Sequence, residues 1–213
     1  MIHALLSGEA PVSTAFLGPR EMERFAAMRM PWRQADFLLG RWTAKKLIAS
    51  ILNRAPDGSI EVLADPSGQP RAFLDGTPLP LSISISHRAG MALVAVDDEQ
   101  GPVGADVEHI EPRSGAFVRD FFTPAEQDAV EHGDAELMAN LIWSAKESAL
   151  KALGEGLRLD SRSIEVELEP GGAGPWQPLK VHGATELNGF WRREGDCVLT
   201  LCGETADAPV LRG

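Results

Sequence analysis

Long apolar runs are missing from this chain of 213 residues, in which no stretch approaches the roughly eighteen apolar residues that a membrane span requires. The start, Met1-Ile-His-Ala-Leu-Leu-Ser-Gly-Glu9, has no basic segment and meets a carboxylate too early for a secretory leader. Together these absences predict a soluble, cytoplasmic protein that does not engage a membrane. Cysteine is nearly absent too. Cys197 and Cys202 are five apart in an expected strand, on opposite faces, which speaks against a disulfide or a metal pair. Positive charge is in deficit, 20 basic against 31 acidic residues for a net of −11, and this argues against a broad nucleic-acid surface. Low-complexity tracts and short-period repeats are likewise lacking.

What is present is enough apolar material, 44% of residues, for one large domain or two small ones. The scarce positive charge is concentrated. Between Arg20 and Arg54 there are eight basic residues against three acidic, a local net of +5. Such an island is either a solvated helix face or a docking site for a phosphate-bearing ligand or an acidic partner.

Periodicity predicts an α+β chain in two halves. A short strand opens residues 1–17, Gly18-Pro19 starts a first helix, and Pro31 resets the chain before a longer helix over about Trp32–Asn53. Strands follow near Ile60–Leu63 and Arg71–Phe73, and Leu81–Ser86 alternates strictly before His87 and a strand over Met91–Val96. The polar run from Asp97 to Pro102 marks a boundary between residues 1–101 and 102–213. Val103–Val107 then reads as a strand, Thr123-Pro-Ala-Glu126 as a capped helix start whose Glu126 is structural, and about Ala135–Leu153 as a helix stopped by Gly154. A glycine turn over 154–157, a loop over 171–175, four antiparallel strands near 164–168, 179–182, 188–193 and 197–202, and a frayed tail from Glu204 complete the expectation.

Two stretches carry chemistry. In the central helix Glu147 and Lys151 are four apart and share a face, with Lys146 beside them; alone they read as a surface pair worth a few tenths of a kcal/mol, on the order of ~0.3. Upstream, Asp106 and Glu108 share a face of their strand, which is either an acidic solvated turn or an oxygen site for magnesium or manganese. A phosphatase or nuclease built on that pair is a further reading, disfavoured by the acidic surface.

Gly104-Ala-Asp106-Val-Glu108, then Phe121-Phe-Thr-Pro-Ala-Glu126, then Trp143-Ser-Ala-Lys146-Glu147-Ser-Ala-Leu-Lys151 resembles the signature of the 4'-phosphopantetheinyl transferase superfamily, GxDxE followed by WxxKExxxK. Ser84-Ile-Ser-His87 and Gly68-Gln-Pro70 are similar to upstream elements of its surfactin-type (Sfp-type) branch, and the likeness covers about residues 20–168. The resemblance implies a pseudo-dimer of two similar α+β halves in one chain, acting as a monomer. It implies transfer of the phosphopantetheine arm of coenzyme A to a serine of an apo acyl or peptidyl carrier protein, releasing adenosine 3',5'-bisphosphate. Asp106, Glu108 and Glu147 are implied as ligands of Mg2+, or Mn2+; Glu147 as the base toward the serine; Lys151, and with it Lys146, as cations on the diphosphate. On the coenzyme side it implies Ser86 and His87 near the 3'-phosphate, Gln69, Pro70 and Arg71 around the adenine, and Arg24 and Arg29 as further cations. Gln69 stands where the family frequently has lysine, with Arg71 as a possible replacement. The alternative is a non-catalytic module of the same fold that binds coenzyme A or a carrier.

Overall fold

The computed structural model describes residues 1–154, 159–171 and 174–212. The expected glycine turn at 154–157 falls, beyond Gly154, outside the described residues, as do residues 172 and 173 of the expected loop. The chain is α+β with antiparallel sheets and forms two compact units, Met1–Gly101 with Val210–Gly213, and Pro102–Pro209. No helix among the described residues is long and apolar enough to cross a membrane.

In the first unit, β1 (Ile2–Ser7) is followed by α1 (Pro19–Ala26) and α2 (Pro31–Ile51). Both helices begin with proline at the first helical position, where the missing N–H is no loss. Next come β2 (Ile60–Ala64), β3 (Pro70–Leu74), the two-residue β4 (Thr77–Pro78), β5 (Ser82–Arg88) and β6 (Met91–Asp97). Ala89 and Gly90, both at positive φ, join β5 to β6 as a two-residue hairpin turn. α2 buries Ala44, Leu47 and Ile48 against Leu5, Ile60, Val62, Val94 and Val96.

The second unit contains β7 (Val103–His109), α3 (Gly115–Phe121), α4 (Pro124–His132), α5 (Ala135–Ala152), β8 (Glu165–Leu168), β9 (Gln177–His182), β10 (Leu187–Glu194) and β11 (Cys197–Gly203). Its sheet runs β7-β11-β10-β9-β8, and α5 packs Ile142, Ala145, Ala149 and Leu150 onto it. Gly104 makes this packing possible. A Cβ there would run into the Ser148 carbonyl, so β7 lies against α5 at a distance only glycine allows. α3, capped by the Ser114 side chain accepting from the Phe117 N–H at 3.1 Å, was not expected from the sequence. Both cysteines are free and buried on β11.

The tail is not frayed as expected. β12 (Val210–Leu211) pairs in parallel with β1 at His3 and Ala4, and so returns the chain to the first unit.

The two units repeat one order of elements and one sheet sequence. β1-β6-β5 in the first recurs as β7-β11-β10 in the second, and β2-β3 recurs as β8-β9. They differ in α3, which has no counterpart in the first unit, in β4 and β12, which have none among the described residues of the second, and at one junction. In the second unit β9 hydrogen-bonds to β10, and Gly189 lets the Leu179 side chain lie where a Cβ would otherwise stand. In the first unit β2-β3-β4 is a separate sheet, unpaired with β5. At the corresponding strand positions Ile83 replaces Gly189, and Pro70, with no N–H to donate, replaces Leu179.

Candidate active site

A capped helix start, the long helix and a strand are stapled together in the same way in both units. In the second, Glu126 occupies the third position of α4; its Oε2 accepts from the Thr123 N–H at 2.8 Å and its Oε1 from the Val166 N–H at 2.8 Å. The Lys146 ammonium lies 2.9 Å from Glu126 Oε2 and donates to the carbonyls of Ser161 and Ile164 at 2.7 and 2.6 Å. Both side chains are buried. Burial draws the Lys146 ammonium below its ordinary pKa and lifts the Glu126 carboxyl above its own, each opposed by the other's charge. This corrects the expectation that Lys146 meets a diphosphate: its charge is spent inside the unit on Glu126 and two carbonyls. In the first unit Glu21 accepts from Gly18 and Val62, and Lys45 reaches Glu21 at 2.5 Å and the Phe16 carbonyl at 2.6 Å. Lys45, counted in the basic island, is therefore also an internal charge.

The opposite face of α5 carries the other residues of the candidate site. Lys151 donates to Asp106 Oδ1 at 2.7 Å and to the Ala105 carbonyl at 3.0 Å, while Ser144 donates to Asp106 Oδ2 at 2.9 Å. Glu147 is half-buried, and its Oε1 is buried with no hydrogen-bond partner. Burial, then the neighbouring Asp106 and Glu108 carboxylates, hold its carboxyl above the usual range, with Lys151 opposing. Glu108 lies 3.1 Å from Arg113, which also donates to Asn140 Oδ1 at 2.7 Å and sits over the Phe117 ring. Sequence reading passed over Arg113; its place five residues after Glu108, just before the α3 cap, was the available signal.

Asp106, Glu147 and Lys151 thus come together, with Glu108 near enough to act on Glu147 electrostatically. Among the described residues, however, no group of three or more His, Cys, Asp or Glu side chains is placed to hold a metal ion. Lys151 and Ser144 hold Asp106, and Arg113 holds Glu108. In donor chemistry the residues do fit a hard divalent cation: they offer oxygen alone, and one buried oxygen lacks any partner.

In the first unit a cavity of about 490 Å³ opens where β3 and β5 fail to pair. Pro70 and His87 line it, with Gly68, Trp32, Arg33 and Arg41. Arg24 and Arg29 line a second hollow of about 650 Å³ that shares Met28 and Arg33 with the first. Arg41, stacked over Phe37, has a buried Nε without a hydrogen-bond partner, and burial lowers its pKa despite Glu21 at 3.9 Å. The cavity is therefore cationic, tempered by Asp36 at 3.9 Å from the His87 imidazole. Three expected residues do not line it. Ser86 is buried beside His87, Gln69 sits in the turn that Asp65 caps, and Arg71 is exposed and 3.3 Å from Asp65.

Residues 102–202 match the model of the 4'-phosphopantetheinyl transferase superfamily. The chain is 32% identical over 92 residues to the 4'-phosphopantetheinyl transferase Sfp of Bacillus subtilis, covering 42% of this chain and 40% of that one. It is 26% identical to the 4'-phosphopantetheinyl transferase HetI of Nostoc, covering 73% and 67%. To the human L-aminoadipate-semialdehyde dehydrogenase-phosphopantetheinyl transferase it is 28% identical, covering 71% and 53%. The chain spans between 40% and 67% of the length of these relatives.

Proposed function

We propose that this protein, whose residues 102–202 match the 4'-phosphopantetheinyl transferase superfamily, transfers the 4'-phosphopantetheine arm of coenzyme A to a serine hydroxyl of an apo acyl or peptidyl carrier protein. The observation that carries the reading is the orphaned Oε1 of Glu147 beside the Asp106–Lys151 pair. A buried carboxylate oxygen without a donor is costly unless a proton or cation completes it.

Asp106, Glu108 and Glu147 would hold Mg2+, or Mn2+, which when bound supplies positive charge to the diphosphate. Glu147 takes the proton of the attacking serine, directly or through a water. The serine oxygen forms a bond to the pantetheine-side phosphorus as the bond from that phosphorus to the bridging oxygen breaks, and adenosine 3',5'-bisphosphate leaves. Lys151 supplies a cation to the departing phosphate, a step in which positioning and charge do most of the catalysis. Arg33 and Arg41, with Arg24 and Arg29, give the first unit the charge to take the phosphorylated nucleoside end of coenzyme A, and His87 adds an imidazole to the same cavity. The net charge of −11 makes that unit's basic island the natural docking charge for an acidic carrier, in a cytoplasmic setting and with a single chain as the working unit.

The test is the intact mass of an apo carrier after incubation with the protein, coenzyme A and Mg2+. A phosphopantetheine increment is expected, lost with EDTA and reduced about 10²–10³-fold in rate by Glu147→Ala. Coenzyme A binding without an increment on peptidyl, polyketide and fatty-acid carriers alike would leave only the non-catalytic module.

A further inference from the structure

Beneath Asp106 lies a line of hydroxyls. Ser144, Ser148 and Thr200 are each fully buried. Ser144 Oγ lies 2.9 Å from Asp106 Oδ2 and 2.8 Å from Thr200 Oγ1, and Thr200 Oγ1 lies 2.7 Å from Ser148 Oγ. Each hydroxyl has a single proton to give. A carboxylate only accepts, so the Ser144 proton is committed to Asp106. The Ser144–Thr200 bond must then be donated by Thr200, which leaves the Thr200–Ser148 contact to the single proton of Ser148, shared with the Thr200 carbonyl 3.1 Å away. Thr200 and Ser144 both donate toward the carboxylate.

We infer that Ser144 and Thr200 are positioning residues for Asp106. The line ends on Oδ2 and leaves Oδ1 turned to Lys151, so the carboxylate's rotation is set from below by groups that never meet the substrate. Thr200 faces Asp106 directly across the β7–β11 pair, which fixes the line to the sheet as well as to α5. Aligned donors polarise one another and strengthen the last bond, the one that a metal ligand needs to hold its orientation. The inference rests on the reading that Asp106 is a ligand of a divalent cation.

The experiment measures binding of Mn2+ to the protein, with coenzyme A at saturation, by the relaxation of water protons. Ser144→Ala is expected to weaken Mn2+ binding about tenfold and Thr200→Val about threefold, whereas Ser144→Thr and Thr200→Ser stay within about twofold of the parent. The pair Thr200→Val and Thr200→Ser carries the test if Ser144→Ala does not fold. Asp106→Ala is the reference. If it abolishes binding while Ser144→Ala and Thr200→Val bind as the parent does, the positioning role is overturned and the metal reading stands. If the parent itself does not bind Mn2+, or Asp106→Ala binds as well as the parent, the metal reading fails and takes the inference with it.

Discussion

Trp42-Thr43-Ala44-Lys45-Lys46 on α2 and Trp143-Ser144-Ala145-Lys146-Glu147 on α5 stand at the same place in the two units, and comparing them separates scaffold from site. The tryptophan, the alanine and the buried lysine are common to both, and so is the glutamate that each lysine meets, Glu21 or Glu126. What differs is the face turned away from that staple. By strand register, Asp106 opposite Thr200 in the second unit corresponds to Leu5 opposite Val94 in the first. Glu108 corresponds to Ser7, Glu147 to Lys46 and Lys151 to Ser50. The first unit's face is accordingly quiet. Thr43, with no carboxylate to hold, returns its hydroxyl to the Leu39 carbonyl at 2.8 Å, and Lys46 donates to Ser7 at 3.2 Å. One backbone plan thus carries a charged kit in one unit and an apolar strand pair in the other.

If the staple is scaffold, breaking it should cost both units alike. Lys45→Met and Lys146→Met each take the nearest cation from a buried glutamate, and each is expected to lower stability by about 3–5 kcal/mol, read from denaturant unfolding, with Lys45→Met at the lower end because Arg41 stays 3.9 Å from Glu21. Replacing both partners, as in Glu126→Leu with Lys146→Met, should recover only part of that loss, since the Thr123 and Val166 N–H groups then lose their acceptor. A Lys146→Met protein that keeps its stability and loses only phosphopantetheine transfer would return Lys146 to the diphosphate and dissolve the parallel.

The second contrast is the sheet junction. Gly189→Ile copies into the second unit the residue that stands in the first, and its side chain would occupy the space of Leu179. The expected loss is about 1–3 kcal/mol, with amide exchange accelerating along β9 and β10. Unchanged protection there would mean that the glycine is not what lets the sheet close.

The smallest effect distinguishes the units by pH. His182 on β9 lies 2.8 Å from Glu167 and 2.7 Å from Glu186, and their carboxylates raise its pKa. The corresponding β3 residue, Phe73, does not titrate. Because the folded-state pKa lies above the unfolded one, the stabilisation is complete below the ordinary histidine value and fades as pH rises through the raised value. Solvent screening at this exposed site keeps it under about 1 kcal/mol. The slope should vanish in His182→Gln; a slope that persists would belong to another group.

Much of this was legible in the residues because it is local. Pro19, Pro31 and Thr123-Pro124 announced helix starts, the alternation of Leu81–Ser86 announced β5, and the spacing of Asp106, Glu108, Glu147 and Lys151 placed the acidic face of the second unit. What escaped depends on burial and pairing. Lys146 looks like its neighbours Glu147 and Lys151 in the sequence, but helical rotation turns it inward to Glu126, and no local rule states which way a helix faces. The α3 helix is too short for its period to register. The two similar halves were implied by the family resemblance and not by the residues themselves, because those shared are few, and the unpaired junction between β3 and β5 reflects non-local packing at Ile83 and Pro70.

The pairing of β12 with β1 gives the chain a nested connectivity. Pro102–Pro209 leaves the first unit after Gly101 and rejoins it at Val210, so the second unit is carried as an insert whose two ends are moored to one host. A single backbone cut at either mooring leaves the module tethered by the other, and releasing it takes two.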